Sequence, residues 1–242
     1  MEQKFSYYDV LGIIVPGVLV ISFMCATIHW LGVSIDYPPA PEAIAVIVFT
    51  VLCLFTGYVV QALASLLEPF YFWSWGGSPS TNLLDGKTPM RNFSLRDAAR
   101  IKSVLEAAIA KCDGVSAKLA SADLFSFAIS TVNHEPAGRV DTFNAIYAYH
   151  RGLVTALLLI TLGALGAFLW SGLVGAVWHR SLGLAVLSCA VLTLLLWHRT
   201  KQRDYYYVRE VLWMAGHLLC PRPSCASASP NRNAQDVGAK EA

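Results

Sequence analysis

Four long apolar segments, at about residues 10–32, 43–67, 152–177 and 182–198, constrain this chain more than any other feature. A helix needs about 20 residues to cross a hydrocarbon layer of ~30 Å, and each segment has that length or reaches it with its flanks. Backbone inside hydrocarbon must bond its own N–H and C=O groups, so only helices or closed barrels can cross it. Runs this long, without alternation, predict helices. The composition agrees: 55% of residues are hydrophobic and 14% charged, against about 25% charged in an ordinary soluble domain. The expected fold is an all-α integral membrane protein with four transmembrane helices. The first segment exceeds the ~7–15-residue apolar core of a cleavable signal peptide, so it is expected to stay.

Lys and Arg collect in cytoplasmic loops and so set the expected orientation. The link VSIDYPPAPE has neither, whereas the segment between the second and third spans has nine, from Lys87 to Arg151. Arg199, Lys201, Arg203 and Arg209 follow the fourth span, and only Arg180 lies between the third and fourth. Both termini are therefore expected in the cytosol. Trp30, Trp75, Trp170, Trp178 and Trp197 fall near segment ends, where amphipathic rings prefer to lie. The chain then divides into a first transmembrane hairpin (1–68), a cytosolic helical segment (69–150), a second hairpin (151–198), a cytosolic amphipathic helix (199–220) and a tail (221–242). The small, polar, Pro-rich tail predicts disorder.

Within the cytosolic segment, WSWGGSPSTNLLDGKTPM is too rich in Gly, Pro, Ser and Asn to predict regular structure. FSLRDAARIKSVLEAAIAKC predicts an amphipathic helix, opened by Ser94 and Asp97 three residues apart as a capping signal. SADLFSFAISTV predicts a second helix, and a third begins near Asp141 and runs into the third span. No alternating stretch predicts a strand. Six cysteines, at 25, 53, 112, 189, 220 and 225, show no double-pair spacing for a metal, and a disulfide framework belongs to small secreted domains.

Charges inside hydrocarbon are costly and kept mainly for function, and the spans contain none. His29, Glu68 and His198 stand at span ends. On the second span Gly57, Gln61, Ser65 and Glu68 are spaced four, four and three apart and share one helix face. They read either as the polar wall of a pore between subunits or as a packing seam. In a seam a small residue admits a neighbour and an amide bonds across, worth about 1 kcal/mol; the seam is the favoured reading. Gly163, Gly166, Ala167 and Gly172 to Gly175 form a similar row expected to pack against the fourth span across the tight VWHRS turn. On the first span Gly12, Pro16 and Gly17 predict a hinge, because Pro16 has no amide to donate and crowds the Gly12 carbonyl. Ser6 and Asp9 are expected to cap its start. His150 and Arg151, with Arg96 and Arg100, read as headgroup or partner contacts or as interfacial anchors that snorkel. His134 and Glu135 read as a solvated loop pair.

For chemistry the chain offers no GxSxG, HExxH, glycine-rich phosphate loop or paired carboxylates, so no catalytic residue, metal site or cofactor is expected. A net charge of +2 with scattered basic residues argues against nucleic-acid binding. The overall plan resembles small bacterial inner-membrane proteins that join a four-helix bundle to a modest cytosolic module, which implies a multi-pass protein of the bacterial plasma membrane. The expected function is non-enzymatic: a homo-oligomer in the lipid bilayer that senses or recruits a cytosolic protein encoded nearby. Its concrete form is a stress or phage-defence effector that alters bilayer permeability. The alternative is a channel or transporter subunit with Gln61 and the Pro16 kink along its path. A third reading is a membrane hydrolase or transferase using His150 and Arg151.

Overall fold

The computed structural model describes residues 7–30, 41–88, 90, 93–113, 119–133, 138–174 and 179–219. Among these the regular structure is α-helical: α1 (Tyr7–Trp30), α2 (Glu42–Ser74), α3 (Pro79–Leu84), α4 (Leu95–Asp113), α5 (Ser121–Asn133), α6 (Gly138–Val174) and α7 (His179–Leu219). Four of them, α1, α2, α6 and α7, are long and apolar enough to cross a membrane. The Ser6–Asp9 cap, the His134–Glu135 loop, Cys220, Cys225 and the tail lie outside what is described.

The helices are longer than the apolar runs that identify them. α6 has 37 residues and α7 has 41, about 55 and 60 Å at 1.5 Å per residue, nearly twice a hydrocarbon layer. Each is therefore apolar over one half and polar over the other. The boundaries drawn at 68, 150 and 198 fall inside continuous helices, and Glu68, Arg151 and Arg199 are the first charges beyond the apolar stretches.

α1 packs between α2 and α6. α6 and α7 pack along one another, while Gly163 itself faces α1. Gly163 makes room for the ring of Phe23 in α1, nothing approaches Gly166, and α7 meets α6 through Phe168 over Gly183 and through the Thr161 and Thr193 hydroxyls, 3.2 Å apart. α1 takes that face of α6.

At the polar end, α3, α4 and α5 fold onto the second half of α7. Leu83, Leu105, Leu124 and Val132 close over Tyr205, Val208, Val211, Leu212 and Ala215 in one core. The stretch after α2 is more ordered than its composition predicts. α2 ends in a Schellman turn, with Gly76 and Gly77 at φ +82° and +118° and the Gly77 amide donating to the Phe72 carbonyl at 2.9 Å. Ser78 then caps α3 and Pro79 occupies its first turn. α4 opens on the predicted capping box: the Ser94 amide donates to Asp97 Oδ2 at 3.0 Å and the Asp97 amide to Ser94 Oγ at 3.2 Å.

Candidate functional site at the bundle–module junction

The hinge and the polar stripe meet at one node. Pro16 leaves the Gly12 carbonyl without its helical donor, and Gln61 of α2 supplies one, its Nε2 donating to Gly12 O at 2.7 Å. The same amide reaches Ala148 O of α6 at 3.4 Å, and Gly152 of α6 leaves room for both Gln61 and the Pro16 ring. A turn further along, α1 and α2 cross through paired glycines. A methyl on Gly17 would strike the Cys53 carbonyl, and one on Gly57 would strike the Ile13 carbonyl. Gly12, Pro16, Gly17, Gly57 and Gln61 thus face one another within a single chain, with the amide bonded and the glycines in backbone contact.

One and two turns beyond Gln61 the stripe becomes ionic. Ser65 Oγ donates to the Gln61 carbonyl at 3.1 Å and accepts from Arg151 Nη2 at 3.3 Å. Arg151 Nη1 pairs with Glu68 Oε2 at 3.1 Å, and Tyr147 Oη donates to Glu68 Oε1, also at 3.1 Å. The Arg151 guanidinium lies 5.5 Å from the Tyr147 ring centre, and that ring stacks on Tyr207 of α7 at 6.3 Å. Arg151 is therefore turned inward, not toward a headgroup.

Asp204 completes the cluster from α7. It is only 4% exposed, its Oδ2 is buried without a hydrogen-bond partner, and so is Arg151 Nε. Six residues beyond His198, it stands outside the apolar run of α7. Burial, then the neighbouring Glu68 carboxylate, push the Asp204 carboxyl up to about 8, against the pull of Arg151. A proton held on Asp204 leaves the Glu68–Arg151 ion pair without a second negative charge beside it. Three helices contribute to it, so its geometry registers any shift of α7 against α2 and α6.

The remaining sequence candidates lie elsewhere. Arg96 and Arg100 are exposed on α4, away from this cluster. Arg100 lines a solvent-open cleft between α4 and the end of α7, with Asp97, Ile101, Val104, Trp213, Gly216 and His217. Trp213 is 41% exposed, unusual for so large a ring. His150 Nδ1 bonds the Ile146 carbonyl at 2.8 Å. Neither Asp204 nor Tyr147 was singled out from sequence. The available signal for Asp204 was its register: it shares the face of α7 that carries Val208, Val211 and Ala215.

No protein-family model, curated protein or solved structure matches this chain, so the site is read from its own geometry.

Proposed function

We propose that the protein is a non-enzymatic, multi-spanning membrane protein whose cytosolic module recruits a soluble partner and passes its presence to the bundle. The observation that carries this reading is α7, one unbroken helix of 41 residues. Its first half is apolar enough to cross a bilayer, and its second half is the floor of the module's core. A load on the module acts on the same rigid rod that places Asp204 against Glu68 and Arg151.

The cleft around Trp213 supplies the recruiting surface, with an exposed aromatic ring beside the Arg100 cation and the Asp97 carboxyl. Self-association is part of this reading, and the exposed apolar face of α2, at Val46, Ile47 and Phe55, is where lipid or a second copy would lie. The excess of Lys and Arg beyond the spans supports a cytosolic module in a bacterial inner membrane. In its concrete form the assembly is a stress or phage-defence effector that changes bilayer permeability.

A photocrosslinker at position 213, in cells carrying the neighbouring genes, tests recruitment, and a potential-sensitive dye under phage or envelope challenge tests the output. The expected result is one discrete soluble adduct and a depolarisation lost in Trp213→Ala. Absence of both across challenges overturns the proposal.

A further inference from the structure

The charges at the junction fall into two sets. Glu68, Arg151 and Asp204 face inward and offset one another. On the other side stand Arg199 and Arg203, four residues apart on α7, with His150 of α6 within Coulombic reach of both. Neither arginine pairs with a carboxylate among the described residues. Among the described residues, Arg199 Nη1 donates to Gln202 Oε1 at 2.9 Å and Arg203 Nε is buried with no hydrogen-bond partner. Asp204, next in sequence to Arg203, has Glu68 and Arg151 as its charged neighbours instead.

Two like charges at this helical spacing repel, and a half-desolvated guanidinium without an acceptor is costly. The arrangement is incomplete without an anion. The chain places it where one is abundant: Trp197 lies just before Arg199, and Leu192 and Leu195, 50% and 62% exposed, lie one to two turns below on the same side. Cations above and an apolar surface below match a molecule with a phosphate head and acyl tails. A planar guanidinium binds phosphate oxygens two at a time.

We propose that Arg199, Arg203 and His150 form a binding site for the phosphate of an anionic phospholipid of the cytosolic leaflet. The site rests on the reading that α7 crosses a bilayer with residue 199 at its inner face. His150 Nδ1 donates to the Ile146 carbonyl, so Nε2 becomes a third donor arm only in the imidazolium, the form that a bound phosphate favours. A bound headgroup clamps α6 to α7 beside the inward cluster, so lipid composition sets the stiffness of the junction.

The test uses the full chain in nanodiscs of phosphatidylcholine alone or with phosphatidylglycerol, with retained lipid counted by native mass spectrometry and thermal midpoints measured alongside. The wild type should retain phosphatidylglycerol selectively and melt higher in its presence. Arg199→Gln/Arg203→Gln should bind it about thirtyfold more weakly, from two surface cations each contributing about a fivefold step. Lys87→Gln/Lys111→Gln, two exposed cations of the module, should behave as wild type. Equal retention by wild type and the Arg199/Arg203 variant overturns the site. A midpoint rise produced equally by millimolar inorganic phosphate in phosphatidylcholine discs overturns the lipid as its source. Alkaline extraction of cell membranes separates the underlying reading: protein released by alkali removes membrane insertion itself, and protein retained without lipid selectivity removes only the headgroup site.

Discussion

The contact between Gln61 and Gly12 should be worth more because Pro16 is there. In an uninterrupted helix the Gly12 carbonyl would accept from the amide of residue 16; with proline it cannot, and Gln61 Nε2 at 2.7 Å is the replacement. Interhelical polar contacts in membranes average about 0.6 kcal/mol and reach about 1.7, whereas a buried acceptor left without a partner costs about 1–3 kcal/mol. Gln61→Leu preserves the volume and removes the donor, so it should destabilise the protein by about 1.5–3 kcal/mol. In the Pro16→Ala background the new amide at 16 can bond Gly12, and the same substitution should cost about 0.5–1 kcal/mol, from the weaker 3.4 Å contact with Ala148 and altered packing. Pro16→Ala has its own cost, because the ring is fully buried, but the double-mutant cycle cancels it. The assay is reversible unfolding in mixed micelles or by steric trapping in bicelles, with a coupling of about 1 kcal/mol or more between positions 16 and 61. An equal cost of Gln61→Leu in both backgrounds would refute the reasoning and leave Gln61 as ordinary packing.

Three further outcomes follow from the same contacts. Gly17→Ala and Gly57→Ala, each driving a methyl into a carbonyl of the facing helix, should cost at least about 2 kcal/mol. Gly166→Ala, which meets nothing, should be neutral or stabilising by up to about 1 kcal/mol, and unfolding titrations of the three side by side check this. Asp204, with its folded value raised to about 8, binds its proton more tightly folded than unfolded. Its contribution is full below the unfolded carboxylate range and is lost as pH rises toward 8, so Asp204→Asn should flatten the decline in thermal midpoint between about pH 4 and 8. Ser94→Ala should cost about 1 kcal/mol as a lost cap. Because the Ser94 hydroxyl, then its amide, hold the Asp97 carboxyl below its usual range, the wild type should lose that increment as pH falls through the folded Asp97 value while the variant does not.

Legibility in the sequence varied with the range of the cause. The Ser94–Asp97 box, the α5 segment and the apolar runs are local signals, and the structure has α4 at Leu95–Asp113 and α5 at Ser121–Asn133. α3 was missed because Ser78 and Pro79, a legible N-cap and first-turn proline, sit among residues that suggest loop. The neighbour of Gly163 is illegible for a different reason: a glycine specifies close approach but not which helix makes it, and there Phe23 of α1 fills the place. Arg151 was legible as a boundary residue, but its inward turn depends on Glu68, 83 positions away. Asp204 was hidden by its setting, since an acid among Lys201, Arg203 and Arg209 resembles a solvated helix face. Only the register with Val208, Val211 and Ala215 distinguishes it.

The two halves of the junction differ in how their charge is neutralised, and that difference links structure to response. Inside, two carboxyls share one guanidinium, and the surplus negative charge is removed by a proton on Asp204. Outside, Arg199 and Arg203 have no carboxylate, and the surplus positive charge calls for an anion from the membrane surface. A rise in pH above about 8 ionises Asp204 and leaves a net negative charge between α2, α6 and α7. Loss of anionic lipid leaves a net positive one between α6 and α7. Either change destabilises α7 at the point where it leaves its apolar half, and the module core above it moves with the same rod. On the proposed reading a partner docked near Trp213 would bear on that same rod, so partner occupancy, pH and lipid composition should bias one shared equilibrium rather than three separate ones.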